Sequence, residues 1–255
     1  MCAKGTAKLS KITTRKTDVR GSRIGPWTKK RIVEELRRAG TRRNVEGMAR
    51  FGIRAVRVFG VSKPQLDLLA KKIGTNHKLA LVLWATGIHD AKILAGMIDD
   101  PAKVTAAQME SWVSEFGNWD ICDGTCCHLF VFAAPAWAKA IAWTRRPGEF
   151  QKRAGFALVA YLAYRDKNAE DGKFLKFLAI IEREAEDERN FVRKAANWAL
   201  RNIGKRNVRL NRAAIEAAES LLQRESRTAR WIATDALREL RSEAVQTRLR
   251  RKEQL

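Results

Sequence analysis

The sequence predicts an all-α protein, and three observations carry that expectation. Apolar residues recur at intervals of three and four along most of the chain, strand-like alternation is essentially absent, and only five prolines interrupt 255 residues. Hydrophobic residues make up 45% of the chain, which is ample for a core in one elongated domain or two small ones.

Taken in order, residues 1–25 (MCAKGTAKLSKITTRKTDVRGSRIG) hold no acid before Asp18 and read as a flexible basic arm. An organelle-targeting segment has a similar composition, but this stretch lacks a clear amphipathic face. Residues 26–255 are expected to form a single helical domain. KLALVLWATGIHDAKILAGMI (78–98) reads as a continuous helical stretch, stopped by Asp99, Asp100 and Pro101. Thr105 with Gln108 can form a capping box for the next helix. PAWAKAIAW (135–143), RAGFALVAYLAY (153–164), KFLKFLAIIERE (173–184), FVRKAANWALRNI (191–203), AAIEAAESLLQ (213–223) and TARWIATDALREL (228–240) follow, and Gly204 closes the helix at 191–203.

A faint repeat orders these helices. RAGFALVAYL (153–162), KAANWALRNI (194–203) and WIATDALREL (231–240) share an alanine-rich face, and the aligned Ala154, Ala195 and Ala233 are 41 and 38 residues apart. That period fits HEAT-like helix pairs, whose small residues let successive helices stack into a curved solenoid. A plain helical bundle is the alternative.

Charge narrows the function classes. The chain carries +22, with 17 Lys/Arg against 4 Asp/Glu in residues 1–60, 14 against 7 in residues 201–255, and near balance between. Such a field suits a polyanion, with basic flanks holding phosphates around a neutral centre, although a solvated basic surface has the same composition. No apolar run reaches the roughly 18 residues that span a bilayer, and no signal-peptide core is present, so a soluble, cytoplasmic protein without membrane partners is expected. The cysteines Cys2, Cys122, Cys126 and Cys127 do not make a disulfide framework in a chain of this length. With His128 they suggest a zinc site only weakly, because no paired CxxC exists and His77 and His89 stand apart; small buried helix residues are the better reading, and no metal is expected.

The densest chemistry lies in GNWDICDGTCC (117–127). Asn118 is a credible N-cap, which places Trp119 and Asp123 at i and i+4 on one side of the helix. Asp120 falls in the first turn, where a carboxylate meets the positive end of the helix dipole and needs no further role. Asp123, followed by the helix-unfavourable Gly124, has no capping role.

These residues resemble the DNA alkylation repair family of AlkD-like HEAT-repeat DNA glycosylases. The resemblance covers about residues 45 to 250 and rests on Trp119-Asp120-Ile121-Cys122-Asp123, Lys152-Arg153-Ala154 and Lys194-Ala195-Ala196-Asn197-Trp198-Ala199-Leu200-Arg201, in that order and spacing. GMARFGIRAVRVFGVSKPQLDLLAKKIG (47–74) also looks like the family's first helix, glycine-containing turn and next helix. The resemblance implies that Asp123 is the catalytic carboxylate, Arg153 its neighbouring cation, and Trp119 and Trp198 aromatic walls. It implies removal of cationic alkylated purines, of the N3-methyladenine and N7-methylguanine type, from duplex DNA, without deep base flipping.

A carboxylate suits that chemistry, because breaking the glycosidic bond builds positive charge on the sugar; it could also position the attacking water. Arg153 would anchor a phosphate and hold Asp123 ionised. Tryptophan faces attract cations, although Trp84, Trp112, Trp137, Trp143 and Trp231 are core candidates. No lysine stands where a Schiff-base nucleophile would, so a monofunctional enzyme without cofactor, acting as a monomer without an obligate protein partner, is expected. Lys63, Lys152, Lys194, Lys205 and Arg206 are candidates for phosphate contact. The basic arm and the acidic stretch Asp166–Asp171 depart from the family pattern. A HEAT-repeat module that binds branched nucleic acid without excision is the competing class.

Overall fold

The computed structural model describes residues 26–254, whose regular structure is helical throughout; the basic arm at 1–25 lies outside the described residues. The helices are α1 (Lys29–Ala39), α2 (Arg42–Arg50), α3 (Lys63–Ile73), α4 (His77–Trp84), α5 (His89–Ile98), α6 (Ala106–Ser114), α7 (Trp119–His128), α8 (Ala136–Trp143), α9 (Glu149–Arg165), α10 (Asp171–Glu184), α11 (Asn190–Gly204), α12 (Val208–Leu222), α13 (Arg227–Leu240) and α14 (Glu243–Glu253). Two 3₁₀ turns, Pro101–Lys103 and Phe130–Phe132, complete them. Among these residues no helix is long and apolar enough to cross a membrane.

The odd-numbered helices α3, α5, α7, α9, α11 and α13 each pack on the next, forming one layer, while α10, α12 and α14 form the second layer at the C-terminal end. This is the HEAT-like stacking that the alanine period predicts. Ala154, Ala195 and Ala233 are fully buried where α9, α11 and α13 approach, so small side chains set the helix spacing. α9 is buried along nearly its whole length, from Lys152 to Ala163. A central position, covered on all sides, explains why its apolar residues do not form a single stripe.

Polar side chains lock successive repeats in register. Asn197 Nδ2 donates to Asp235 Oδ2 at 2.6 Å, Arg201 Nη1 to Glu239 Oε2 at 2.5 Å, and Asn202 Nδ2 to the Ala160 carbonyl at 3.0 Å. Trp84 stacks on Trp112 with ring centroids 3.9 Å apart, and Trp143 packs on Phe130, so these three tryptophans belong to the core. Trp137 is partly buried against Phe174, and Trp231 is exposed beneath the Arg193 guanidinium.

Two local expectations are corrected. The stretch 78–98 is two helices, because Gly87 adopts φ 65° and Thr86 holds the corner by donating to the Leu83 carbonyl while accepting from Ile88 N–H. The left-handed glycine reverses the chain and lets α4 pack back on α5. Thr105 does cap α6 by accepting from Gln108 N–H, but the Gln108 side chain donates to Asp99 instead of closing the box. The full capping box lies at Ser62 and Gln65, at the start of α3. Gly204 ends α11 as expected.

Gly155 shows how tight the layer contact is. A Cβ there would sit 2.7 Å from the Thr144 amide nitrogen and 2.9 Å from the Ala140 carbonyl oxygen, both backbone atoms at the end of α8. Gly155→Ala is therefore expected to destabilise the fold by about 1–3 kcal/mol. Gly172→Ala on α10, where nothing lies within 4 Å, should be neutral or stabilising by up to about 1 kcal/mol. Urea unfolding of the two variants would show equal losses if the close packing were immaterial.

Candidate active site

α7 begins where Asn118 accepts from the Ile121 N–H at 3.1 Å, the N-cap that the sequence predicts. The same Asn118 is buried and lies 3.4 Å from His89 Nδ1. His89 Nε2 in turn lies 3.0 Å from Asp120 Oδ2. A carboxylate accepts only, so this places the imidazole proton on Nε2 and leaves Nδ1 to accept from the Asn118 amide. Asp120 thus has a partner on α5 besides the helix dipole. Gly124 is explained by the same contact: its α-carbon faces Ile93 of α5, where a Cβ would meet Cδ1 at 3.3 Å.

Asp123, one turn further on, faces α9. Arg153 donates to it twice, Nε to Oδ1 at 2.8 Å and Nη2 to Oδ2 at 2.6 Å, and its Nη1 donates to the Phe191 carbonyl at 2.7 Å. One guanidinium therefore joins α7, α9 and the start of α11. The Asp123 side chain keeps 17% of its surface exposed and Arg153 9%. Burial pushes the Asp123 carboxyl above its ordinary range, and the guanidinium opposes the rise without cancelling it. Burial pulls Arg153 down, but the Asp123 hydrogen bonds and charge outweigh that and leave it above its ordinary value. Cys122 is fully buried, with its thiol pushed well up by burial first and by neighbouring Cys126 next. Cys122 and Cys126 direct their thiols to the α9 carbonyls of Phe150 and Ala154, a packing role. No three metal-ligating side chains converge among the described residues.

The tryptophans occupy different surroundings. Trp119 Nε1 donates to the Phe51 carbonyl at 2.9 Å, and its ring lines a groove of about 620 Å³ between α2, α3, α5 and α7. Asp120, His89, Phe51, Met48 and Lys63 share that lining, whereas Asp123 does not. The expectation that the i, i+4 spacing puts both on one side is corrected: Trp119 lines the open groove, while Asp123 turns toward α9 and keeps a small exposed surface. Trp198 is half-buried and meets Tyr161 edge-on, ring centroids 4.8 Å apart. Burial, with Cys127 and Asp123 adding to it, drives the Tyr161 hydroxyl well above its ordinary value. Tyr161 was missed in the sequence, although it lies eight residues after Arg153, two turns along the same helix.

The basic candidates separate by environment. Lys63 is exposed at the groove, paired with Asp67 one turn on. Lys194 is exposed on α11 one turn before Trp198. Lys152 is corrected: it is buried between Glu184 at 2.7 Å and Asp187 at 2.8 Å, an internal ion pair and not a phosphate contact. Arg153 is corrected as a phosphate anchor, because all three of its nitrogens already donate within the protein. Lys205, paired with Glu239, and Arg206, donating to the carbonyls of Ala163, Lys167 and Ala169, lie at the far end of α11 from the contact with Arg153.

The model of a family described as DNA alkylation repair enzyme matches residues 32–250, and the chain belongs to that family. No curated protein matches it. Among solved structures it resembles one described as "a new family of proteins related to the HEAT-like repeat DNA glycosylases with affinity for branched DNA structures". The TM-score is 0.69 at 23% identity, over 83% of this chain and 95% of that one, which shows the fold.

Two expected outcomes follow from the ion pairs. Arg153→Ala strands a buried carboxylate and should lower stability by about 3–5 kcal/mol, read by urea unfolding at neutral pH; a loss below about 1 kcal/mol would mean the pair is not integral to the fold. Burial alone would raise Glu184 and Asp187, but hydrogen bonds from Lys152 with Arg183 and Arg189 more than offset it and hold both low. Their contribution is present above the ordinary carboxylate range and is lost as pH falls through the lowered values. The double variant Glu184→Gln, Asp187→Asn should therefore flatten the acid limb of stability plotted against pH.

Proposed function

We propose that the protein is a DNA glycosylase that hydrolyses the N-glycosidic bond of cationic alkylated purines, of the N3-methyladenine and N7-methylguanine type, in duplex DNA and leaves an abasic site. The observation that carries the reading is the Asp123 carboxylate, fixed by two hydrogen bonds from Arg153 and still partly exposed. A carboxylate that cannot rotate needs no reorganisation when positive charge develops on the deoxyribose. In this reading the carboxylate accepts a hydrogen bond from the water that attacks the sugar and takes up the proton that water loses. The base leaves with its bonding electrons and becomes neutral, so the leaving group needs little help.

Trp119 on the groove and Trp198 against Tyr161 supply faces that attract an electron-poor base or sugar. Lys63, exposed at the groove, and Lys194, exposed one turn before Trp198, are the lysines assigned to phosphate contact in this reading. Lys152, adjacent to Arg153 in the chain, is engaged by two acids and is unsuited to form a Schiff base, which supports hydrolysis without an enzyme-bound intermediate and without a cofactor.

A second reading, binding of branched nucleic acid without excision, draws on the affinity given for the structural neighbour. Release of methylated bases from alkylated duplex separates the two. Asp123→Asn should lower release by about 100-fold or more while DNA binding persists. Asp120→Asn should retain release and lose about 1 kcal/mol of stability through its weakened hydrogen bond with His89. Folded wild type that binds DNA and releases nothing would establish the second reading, and equal release by Asp123→Asn would remove the proposed role of that carboxylate.

A further inference from the structure

A cleft of about 720 Å³ opens where the C-terminal ends of α9 and α11 meet the side of α14. Five cations line it, Lys167, Lys205, Arg206, Arg248 and Lys252, against one acid, Asp171. Ala163 in its wall is ten residues beyond Arg153 on α9, so at 1.5 Å per residue the cleft lies about 15 Å from the Asp123 pair.

Most of these cations have dipoles, not anions, for partners. Arg206 donates to the carbonyls of Ala163, Lys167 and Ala169. Arg248 and Lys252 donate to the Lys205 carbonyl, and Lys252 also to that of Arg206. Lys167 lies 5.0 Å from the centre of the Tyr164 ring. Lys205 alone has an acid partner, Glu239, and Glu239 is shared with Arg201. Asp171 accepts from Asn207 Nδ2.

These side chains cap helix C-termini, but capping does not account for all of their charge. Each helix end carries roughly half a negative charge, so the ends of α9 and α11 offset about one cation. Allowing Glu239 and Asp171 one each leaves about two positive charges uncompensated. Burial, followed by the charges of Arg248, Lys167 and Arg206, lowers the Lys252 ammonium, as crowding of like charges requires.

We infer that this cleft is a phosphate-binding site, separate from the Asp123 region, which takes about two negative charges from nucleic acid. The inference rests on the reading of the chain as a DNA-binding protein and adds a second grip to it. Two sources share this chemistry, the internal phosphodiesters of a strand and a terminal 5′-phosphate.

The test is equilibrium binding of the full chain to unmodified duplexes of about 20 base pairs, with 5′-hydroxyl or 5′-phosphate ends, between roughly 50 and 200 mM salt. Arg248→Gln with Lys252→Gln should reduce the slope of log affinity against log salt by about two, and Lys167→Gln by about one. Lys167 makes no side-chain hydrogen bond to the backbone, so its variant keeps the test open if the double variant does not fold by circular dichroism. Reduction with both duplexes supports strand phosphodiesters; reduction confined to the 5′-phosphorylated duplex supports the terminal phosphate. Wild type that binds, with unchanged slopes in folded variants, overturns this inference alone. Wild type that binds neither duplex overturns the DNA-binding reading and this inference with it.

Discussion

The bidentate contact between Arg153 and Asp123 is the interaction on which the rest depends. Its third donor reaches the Phe191 carbonyl, so one side chain fixes the separation of three successive helices in the odd-numbered layer. Taking two charges out of water is unfavourable unless their geometry is good and their remaining hydrogen-bonding capacity is met. Here each guanidinium nitrogen donates once, two to Asp123 and one to the Phe191 carbonyl, so three of its five N–H groups are engaged. The consequence for chemistry is that the carboxylate is held before substrate arrives, and the consequence for structure is that Arg153 serves the protein interior and leaves phosphate capture to others.

Around this pair, tight backbone approach and polar register work together. Gly155 lets α9 sit against the end of α8, Gly124 lets α7 sit against α5, and the alanines of α9, α11 and α13 let the layer continue. Asn197, Arg201 and Asn202 then tie each helix to the next at intervals close to the repeat length. Small residues allow the approach, but they do not select a register; directional hydrogen bonds between repeats do. The same layer carries Trp119, Asp123, Arg153 and Trp198, and its stacking brings Asp123 and Arg153, 30 residues apart in the chain, into direct contact.

The basic character divides into three kinds of environment. Lys152 is internal and matched by two acids, Lys63 and Lys194 are exposed, with Lys63 paired to Asp67, and most cations of the C-terminal cleft are crowded around carbonyls. A net charge of +22 describes none of these separately. What a lysine or arginine can do depends on whether its partner is a carboxylate, a dipole or water, because only the last two leave its charge available to a polyanion.

The sequence by itself determined the helical class, the stacking period, the N-cap at Asn118, the stop at Gly204 and the family, because these rest on local periodicity and on short motifs in a fixed order. Asn118 acts through a neighbour three residues away, which a linear reading captures, whereas Gly204 also lies against Leu240 of α13 and Ala214 of α12, where a Cβ would come within 3 Å. Tertiary structure decided that Trp119 lines an open groove while Asp123 turns to α9, that Arg153 and Lys152 face inward, that Gly87 divides residues 78–98 in two, and that Tyr161 packs edge-on against Trp198. Those outcomes depend on which helix lies opposite, at separations of about 30 to 40 residues, and an i, i+4 rule is silent on that. Asp120 marks the boundary: its place in the first turn of α7 was legible, and its partner His89, on another helix, was not.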